Sequence, residues 1–160
     1  MNSDKSNCCI ITVNYNSYSF TKKLLFSLRM SDCKTDTLYI IDNFSLDESY
    51  SKIFSLLKLN NKNKVNFPNS KISTCYKINN IYLVRLQKNY GYASAINIAL
   101  EINKQNNKNL YYWVINNDIE VEFNTLEILK EQYTTNSIIT PVVYDLNNRH
   151  KIQSLGCKID

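Results

Sequence analysis

Glycine and proline are almost missing from this 160-residue chain, which has two of each: Gly91, Gly156, Pro68 and Pro141. Two glycines cannot make a G-x-G-x-x-G fingerprint or a Walker-A loop, so any phosphate bound here is held without a glycine cradle. Histidine is rarer still. The single His150 excludes multi-histidine metal sites and leaves a Ser-His-Asp triad dependent on one residue, which reads as an exposed loop histidine within the polar stretch 145–151. Long apolar runs are absent, since none approaches the roughly 18–20 residues of a membrane span. Residues 1–7 are polar and fit neither a signal peptide nor a transit peptide. The five cysteines (Cys8, Cys9, Cys33, Cys75, Cys157) are odd in number and contain no C-x-x-C. They read as free structural thiols in a reducing cytoplasm rather than a disulfide framework.

What remains is enough for one domain, residues 1–160, with one hydrophobic core: 44% of the residues are hydrophobic. The net charge of +5 comes almost wholly from lysine, which travels with abundant asparagine, isoleucine and tyrosine. Two readings stand side by side. One is a coding bias toward AT-rich codons. The other is a basic surface facing nucleic acid or anionic lipid, weakened by the even spread of the lysines.

Short β-branched apolar runs alternate with helical spacing. Cys8 to Val13 reads as a buried strand, followed by a turn and an amphipathic helix from Ser19 to about Met30. Leu38 to Ile41 is a second strand, and Ser45 with Glu48 has the spacing of a capping box ahead of a helix carrying Ile53, Phe54 and Leu57. The stretch from Asn60 to about Lys77 is rich in Asn, Lys and Ser and reads as a solvated loop. Ile81 to Val84 is a third strand. Tyr92, Ala95, Ile96 and Ala99 form the inner stripe of a helix that runs to about Lys104 and is broken at 106–109. Tyr111 to Ile115 is a fourth strand, with Trp113 in the core. A short helix from Thr125 to Tyr133, a strand starting at 137–140 and a hairpin within the segment through Ile159 complete the reading. Strands alternating with helices give an α/β fold with a mostly parallel sheet flanked by helices.

In such sheets ligands sit beyond the carboxyl ends of the strands, so the residue after each apolar run is informative. Those residues are Asn14, then Asp42 and Asn43, then Asn89, then Asn116, Asn117 and Asp118. Turn chemistry alone explains some of the asparagines. Two carboxylates at one edge, expected to line a shared cavity, are harder to assign to turns. Asp118 alone would repel a diphosphate. A divalent ion, Mg²⁺ or Mn²⁺, resolves this by taking a carboxylate together with phosphate oxygens, and Asn116 would add a neutral oxygen directly or through water. Asp42 suits the ring N–H of a pyrimidine base as a charge-assisted acceptor.

Four segments resemble the family-2 glycosyltransferases: Ile11-Thr12-Val13-Asn14-Tyr15-Asn16, Ile40-Ile41-Asp42-Asn43-Phe44-Ser45, Asn89-Tyr90-Gly91-Tyr92-Ala93-Ser94-Ala95-Ile96-Asn97, and Trp113-Val114-Ile115-Asn116-Asn117-Asp118-Ile119. The last is similar to that family's metal motif in the Asn-x-Asp form of the rhamnosyltransferase-like branch. The resemblance implies a nucleotide-diphospho-sugar transferase fold (glycosyltransferase-A, Rossmann-like) and an inverting transferase of hexosyltransferase type. The donor would be dTDP-rhamnose or a UDP-sugar, and the acceptor a cell-surface polysaccharide or a lipid-linked glycan. It implies a role in polysaccharide and cell wall biogenesis, in the cytoplasm or at the inner face of the membrane, with no nucleic-acid partner. By the same resemblance Val13, Asn14 and Tyr15 border the base and ribose, Asp42 contacts the base, and Asn89 and Gly91 line the ribose and diphosphate. Asn116 and Asn117 belong to the donor site, and Asp118 holds Mg²⁺ or Mn²⁺. The family's catalytic base lies well beyond the metal motif, and this chain stops at Asp160. The expectation is a truncated fold: the donor-binding half of a transferase, or a nucleotide-sugar-binding fragment without turnover, with no base nameable here.

Overall fold

Both faces of the central strands are covered, and their near-continuous apolar sequences follow from that. The computed structural model describes residues 8–106, 111–134, 137–148 and 150–155. Along these the order is β1 (Cys8–Asn14), α1 (Tyr18–Met30), β2 (Thr37–Asp42), α2 (Ser49–Leu56), β3 (Ile72–Ile78), β4 (Ile81–Leu86), α3 (Tyr92–Asn106), β5 (Tyr111–Val114), α4 (Thr125–Gln132), β6 (Val143–Tyr144) and β7 (Ile152–Ser154). The main sheet runs β3-β4-β2-β1-β5. Its inner pairings are parallel and β3 is an antiparallel edge. The chain steps outward from β1 through β2 to β4, and α3 then carries it back to the far side of β1. Strand order therefore reverses between β1 and β5, which is where such sheets open a ligand crevice.

Every residue of β1 is buried, and alternate side chains feed two cores. Cys9, Ile11, Val13, Tyr39, Ile41, Tyr82 and Val84 meet Ala95, Ile98, Ala99 and Ile102 of α3. Cys8, Ile10, Ile40 and Leu83 meet Leu24 and Leu28 of α1 and Ile53 of α2. The rings of Tyr39 and Tyr82 stack with centroids 4.6 Å apart, an offset arrangement favoured by the ring quadrupoles.

The structure corrects the sequence reading at several points. The stretch expected to be a solvated loop contains β3, which pairs with β4 through Ile78 and Ile81 across a turn at Asn79, where φ is 52°. Being an edge strand, β3 buries only Cys75 fully, so its sequence alternates with polar residues instead of forming an apolar run. The capping box is not formed. Helix α2 begins at Ser49, whose backbone N–H donates to Asp47 Oδ1 at 2.9 Å, while Ser45 turns its hydroxyl toward Asp42. Residues 137–140 form no strand; the next strand after α4 is β6, and the hairpin it makes with β7 carries the exposed His150 in its loop. Trp113 is half-buried, packing against the α1 side of the core. The expected break at 107–109 and the sites of Gly156 and Cys157 lie outside the described residues. No described helix is long and apolar enough to cross a membrane.

Candidate donor site at the carboxyl edge

Parallel register places Asn14 beside Asp42, and Asp42 beside Arg85. Asn14 and Asp42 are fully buried. Asn14 Nδ2 donates to Asp42 Oδ1 at 2.9 Å and to Ser45 Oγ at 3.0 Å, while its Oδ1 accepts from Thr21 Oγ1 at 2.8 Å and Ser17 Oγ at 3.2 Å. Asp42 also accepts from the Ser45 backbone N–H at 3.1 Å and the Ser45 hydroxyl at 2.5 Å. Arg85 Nε stands 4.0 Å from Asp42 Oδ2, its guanidinium donates to the Ser45 carbonyl at 3.1 Å, and it lies over the rings of Tyr50 and Phe44. A buried carboxylate so surrounded fixes the loop after β2. It offers no exposed oxygen at the crevice. The expectation that Asp42 and Asp118 line one cavity is not met, although both follow strands at the same edge.

Val13 is likewise buried, in the α3-side core. Tyr15 is exposed at the end of β1. Asn43 ties the edges of β2 and β4 together: its Nδ2 donates to Asn89 Oδ1 at 2.9 Å, and its Oδ1 accepts from the Tyr90 N–H at 3.0 Å. Asn89 Oδ1 also accepts from the Gly91 N–H at 2.9 Å. Gly91 has φ +83°, a left-handed conformation suited to glycine, and a Cβ there would meet no protein atom within 4 Å. The backbone is therefore open on its Cβ side, immediately before α3.

Past β5 the three predicted residues separate. Asn117 turns inward, donating from Nδ2 to Ser17 Oγ at 2.6 Å and Thr21 Oγ1 at 3.0 Å, and so joins the Asn14 network. Asn116 and Asp118 are exposed. The Tyr92 hydroxyl, at the start of α3, donates to Asn116 Oδ1 at 2.7 Å. Burial, and then the nearby Asp118 charge, raise the Tyr92 phenol above its ordinary pKa, so it stays protonated. Asn116 and Asp118 open onto a cavity of about 710 Å³ that Phe20, Ile119, Pro141 and Tyr144 also line. Glu120, Glu122 and Asp145 reach the same cavity, with Asp145 Oδ1 already accepting from the Asn147 and Asn148 backbone N–H groups. A smaller cavity of about 290 Å³, at the opposite end of β1 and β5, contains none of the predicted residues.

The donor set tests the fit of a divalent ion. Among the described residues no three His, Cys, Asp or Glu side chains converge as a metal cage. Asp118 offers one accessible carboxylate at the crevice. That fits Mg²⁺ or Mn²⁺, which take one or two carboxylates and complete their shells with phosphate oxygens and water. It does not fit zinc, which asks for three or four protein ligands. Sequence reasoning missed Arg85, Ser45, Thr21 and Tyr92 as partners of the predicted residues. One signal was present: Arg85 is the lone charge inside the apolar run Ile81–Leu86.

A family model for glycosyl transferase family 2 matches residues 9–154. Solved structures of similar fold include S. aureus TarS 1-349 in complex with UDP-GlcNAc, with TM-score 0.56 and 20% identity over 78% of this chain and 30% of that one. S. aureus TarS 1-349 in complex with UDP superposes with TM-score 0.56 at 20% identity over 78% and 31%. S. aureus TarS itself superposes with TM-score 0.56 at 18% identity over 89% and 26%. This chain therefore spans less than a third of the length of these structures. No curated protein sequence matches it. At these identities the structural likeness shows the fold, a glycosyltransferase-A-like α/β arrangement with a mostly parallel sheet. With the family model matched along nearly the whole chain, the protein belongs to glycosyl transferase family 2.

Proposed function

We propose that this chain binds a nucleotide-diphospho-sugar at the carboxyl edge of its sheet and serves an inverting transferase of hexosyltransferase type. The observation that carries the reading is the exposed pair Asn116 and Asp118 at the point where strand order reverses, tied by the Tyr92 hydroxyl to the start of α3 just after Gly91. UDP-GlcNAc and UDP in the TarS structures support a uridine diphosphate donor. The Asn-x-Asp form keeps dTDP-rhamnose as the competing donor. The acceptor is a cell-surface polysaccharide or lipid-linked glycan, reached at the inner face of the membrane.

In this reading Tyr15 and the Asn43–Asn89 pair border the base and ribose, with Asp42 and Asn14 holding the loop that shapes that pocket. Gly91 admits the diphosphate toward the first turn of α3, where unpaired backbone N–H groups favour negative charge. Asp118 holds the divalent ion, and Asn116 lies beside it. When bound, that ion supplies Lewis-acid stabilisation of the departing diphosphate. No residue of this chain is assigned as the base.

Calorimetric titration of UDP and dTDP, with Mn²⁺ and with chelator, tests the reading. It expects metal-dependent binding that Asp118→Ala abolishes. Steeply salt-sensitive binding to oligonucleotides that ignores this substitution, with no nucleotide-diphosphate binding, would overturn it in favour of the basic-surface reading.

A further inference from the structure

Asn116 is held by one hydrogen bond, and that bond sets which end of its amide faces the crevice. Its Oδ1 accepts from the Tyr92 hydroxyl at 2.7 Å. Its Nδ2 has no protein partner among the described residues, and the side chain is exposed. An asparagine amide places its oxygen and nitrogen on opposite sides of Cγ, so pinning one end aims the other. We propose that Tyr92 is a positioning residue that turns the Asn116 amide N–H groups toward the donor's diphosphate, making Asn116 an anion-binding group and leaving Asp118 as the ligand for the divalent ion.

This inference rests on the donor-binding reading and deepens it. It differs from the sequence-based expectation that Asn116 lends an oxygen to the metal. The chemistry favours the new assignment. A diphosphate is rich in acceptors and poor in donors, so a crevice that already carries the Asp118 carboxylate gains more from N–H groups than from another oxygen. Tyr92 is placed for this duty by the crossover itself. Helix α3 returns from β4 to β5 across β1, so its first residue reaches the end of β5. The preceding Gly91, with φ +83°, lets the chain turn sharply into the helix at that point.

The test uses the whole chain with UDP and Mn²⁺ as probes. Tyr92 is 46% exposed, so Tyr92→Phe keeps the ring and should melt within a few degrees of the wild type. Losing the pinning bond should weaken UDP binding about three- to tenfold. Asn116→Ala should weaken it similarly, and the double variant should be no weaker than Asn116→Ala, because the hydroxyl acts only through the amide. Binding of Mn²⁺ alone, followed by water-proton relaxation, should be unchanged in Tyr92→Phe. If Asn116 were a metal ligand, freeing its oxygen would instead tighten Mn²⁺, and that result would overturn the inference. So would additive losses in the double variant, or UDP binding that Asp118→Ala abolishes and Tyr92→Phe leaves unmoved. A wild-type chain that binds no nucleotide diphosphate would overturn the donor-binding reading itself, and this inference with it.

Discussion

Asn14 spends both ends of its amide inside the protein: two donors go toward Asp42 and Ser45, and the oxygen accepts from Thr21 and Ser17. Replacing it with alanine leaves a buried carboxylate short of a donor and two hydroxyls short of an acceptor. Asn14→Ala should therefore lower stability by about 1–3 kcal/mol, read as a lower urea midpoint at unchanged slope. A midpoint equal to the wild type would contradict the network as described. The residue types at the strand ends were legible in the sequence, because polar groups stand out against apolar runs. Their pairing was not. That Asn14 meets Asp42, and Asp42 meets Arg85, depends on strand register, which no local pattern encodes.

At the scale of elements, the parallel strands and their helices were legible wherever burial on two faces forced continuous apolar sequence. The edge strand β3 was not, since an edge strand is only partly covered and admits the exposed Lys77 and Ser73. The start of α2 was misplaced for a related reason. Ser45 and Glu48 have capping-box spacing, but the Ser45 hydroxyl is taken up locally by Asp42 and across the sheet edge by Asn14 and Asn16, and helix and box are shifted apart. The entry to α3 tests how much the fold relies on a single backbone conformation. Gly91→Ala meets no protein atom, so its cost is conformational alone, about 1–2 kcal/mol. A lower thermal midpoint should report this loss, and a midpoint equal to the wild type would place the helix entry in an ordinary conformation.

At the scale of the whole molecule, the four cysteines among the described residues, Cys8, Cys9, Cys33 and Cys75, are all buried. Burial pushes Cys8, Cys33 and Cys75 each up to about 12, with the Asp36 charge adding to the rise at Cys8. An acid whose folded pKa is raised keeps its proton while the unfolded chain loses it. The stabilising difference is thus present below the unfolded value of 9.0 and is lost as pH rises from there toward 12. Each buried thiol contributes at most about 1.4 kcal/mol per pH unit in that window. Urea midpoints should fall between pH 9 and pH 12, less steeply in Cys75→Ala than in the wild type. In the native protein Cys8, Cys9, Cys33 and Cys75 should react with a disulfide reagent at pH 8 far more slowly than in urea. A flat stability profile through that window would mean the cysteines are not enclosed by the two cores.

The proposed donor site puts a nucleotide diphosphate where strand order reverses, with its ion on Asp118. A crystal structure of the chain with UDP and Mn²⁺ decides this, using the anomalous signal of manganese to locate the ion. The expected result is manganese on Asp118 with the diphosphate between Gly91 and Asn116. Manganese away from Asp118, or UDP in the smaller cavity at the opposite end of β1 and β5, would contradict it.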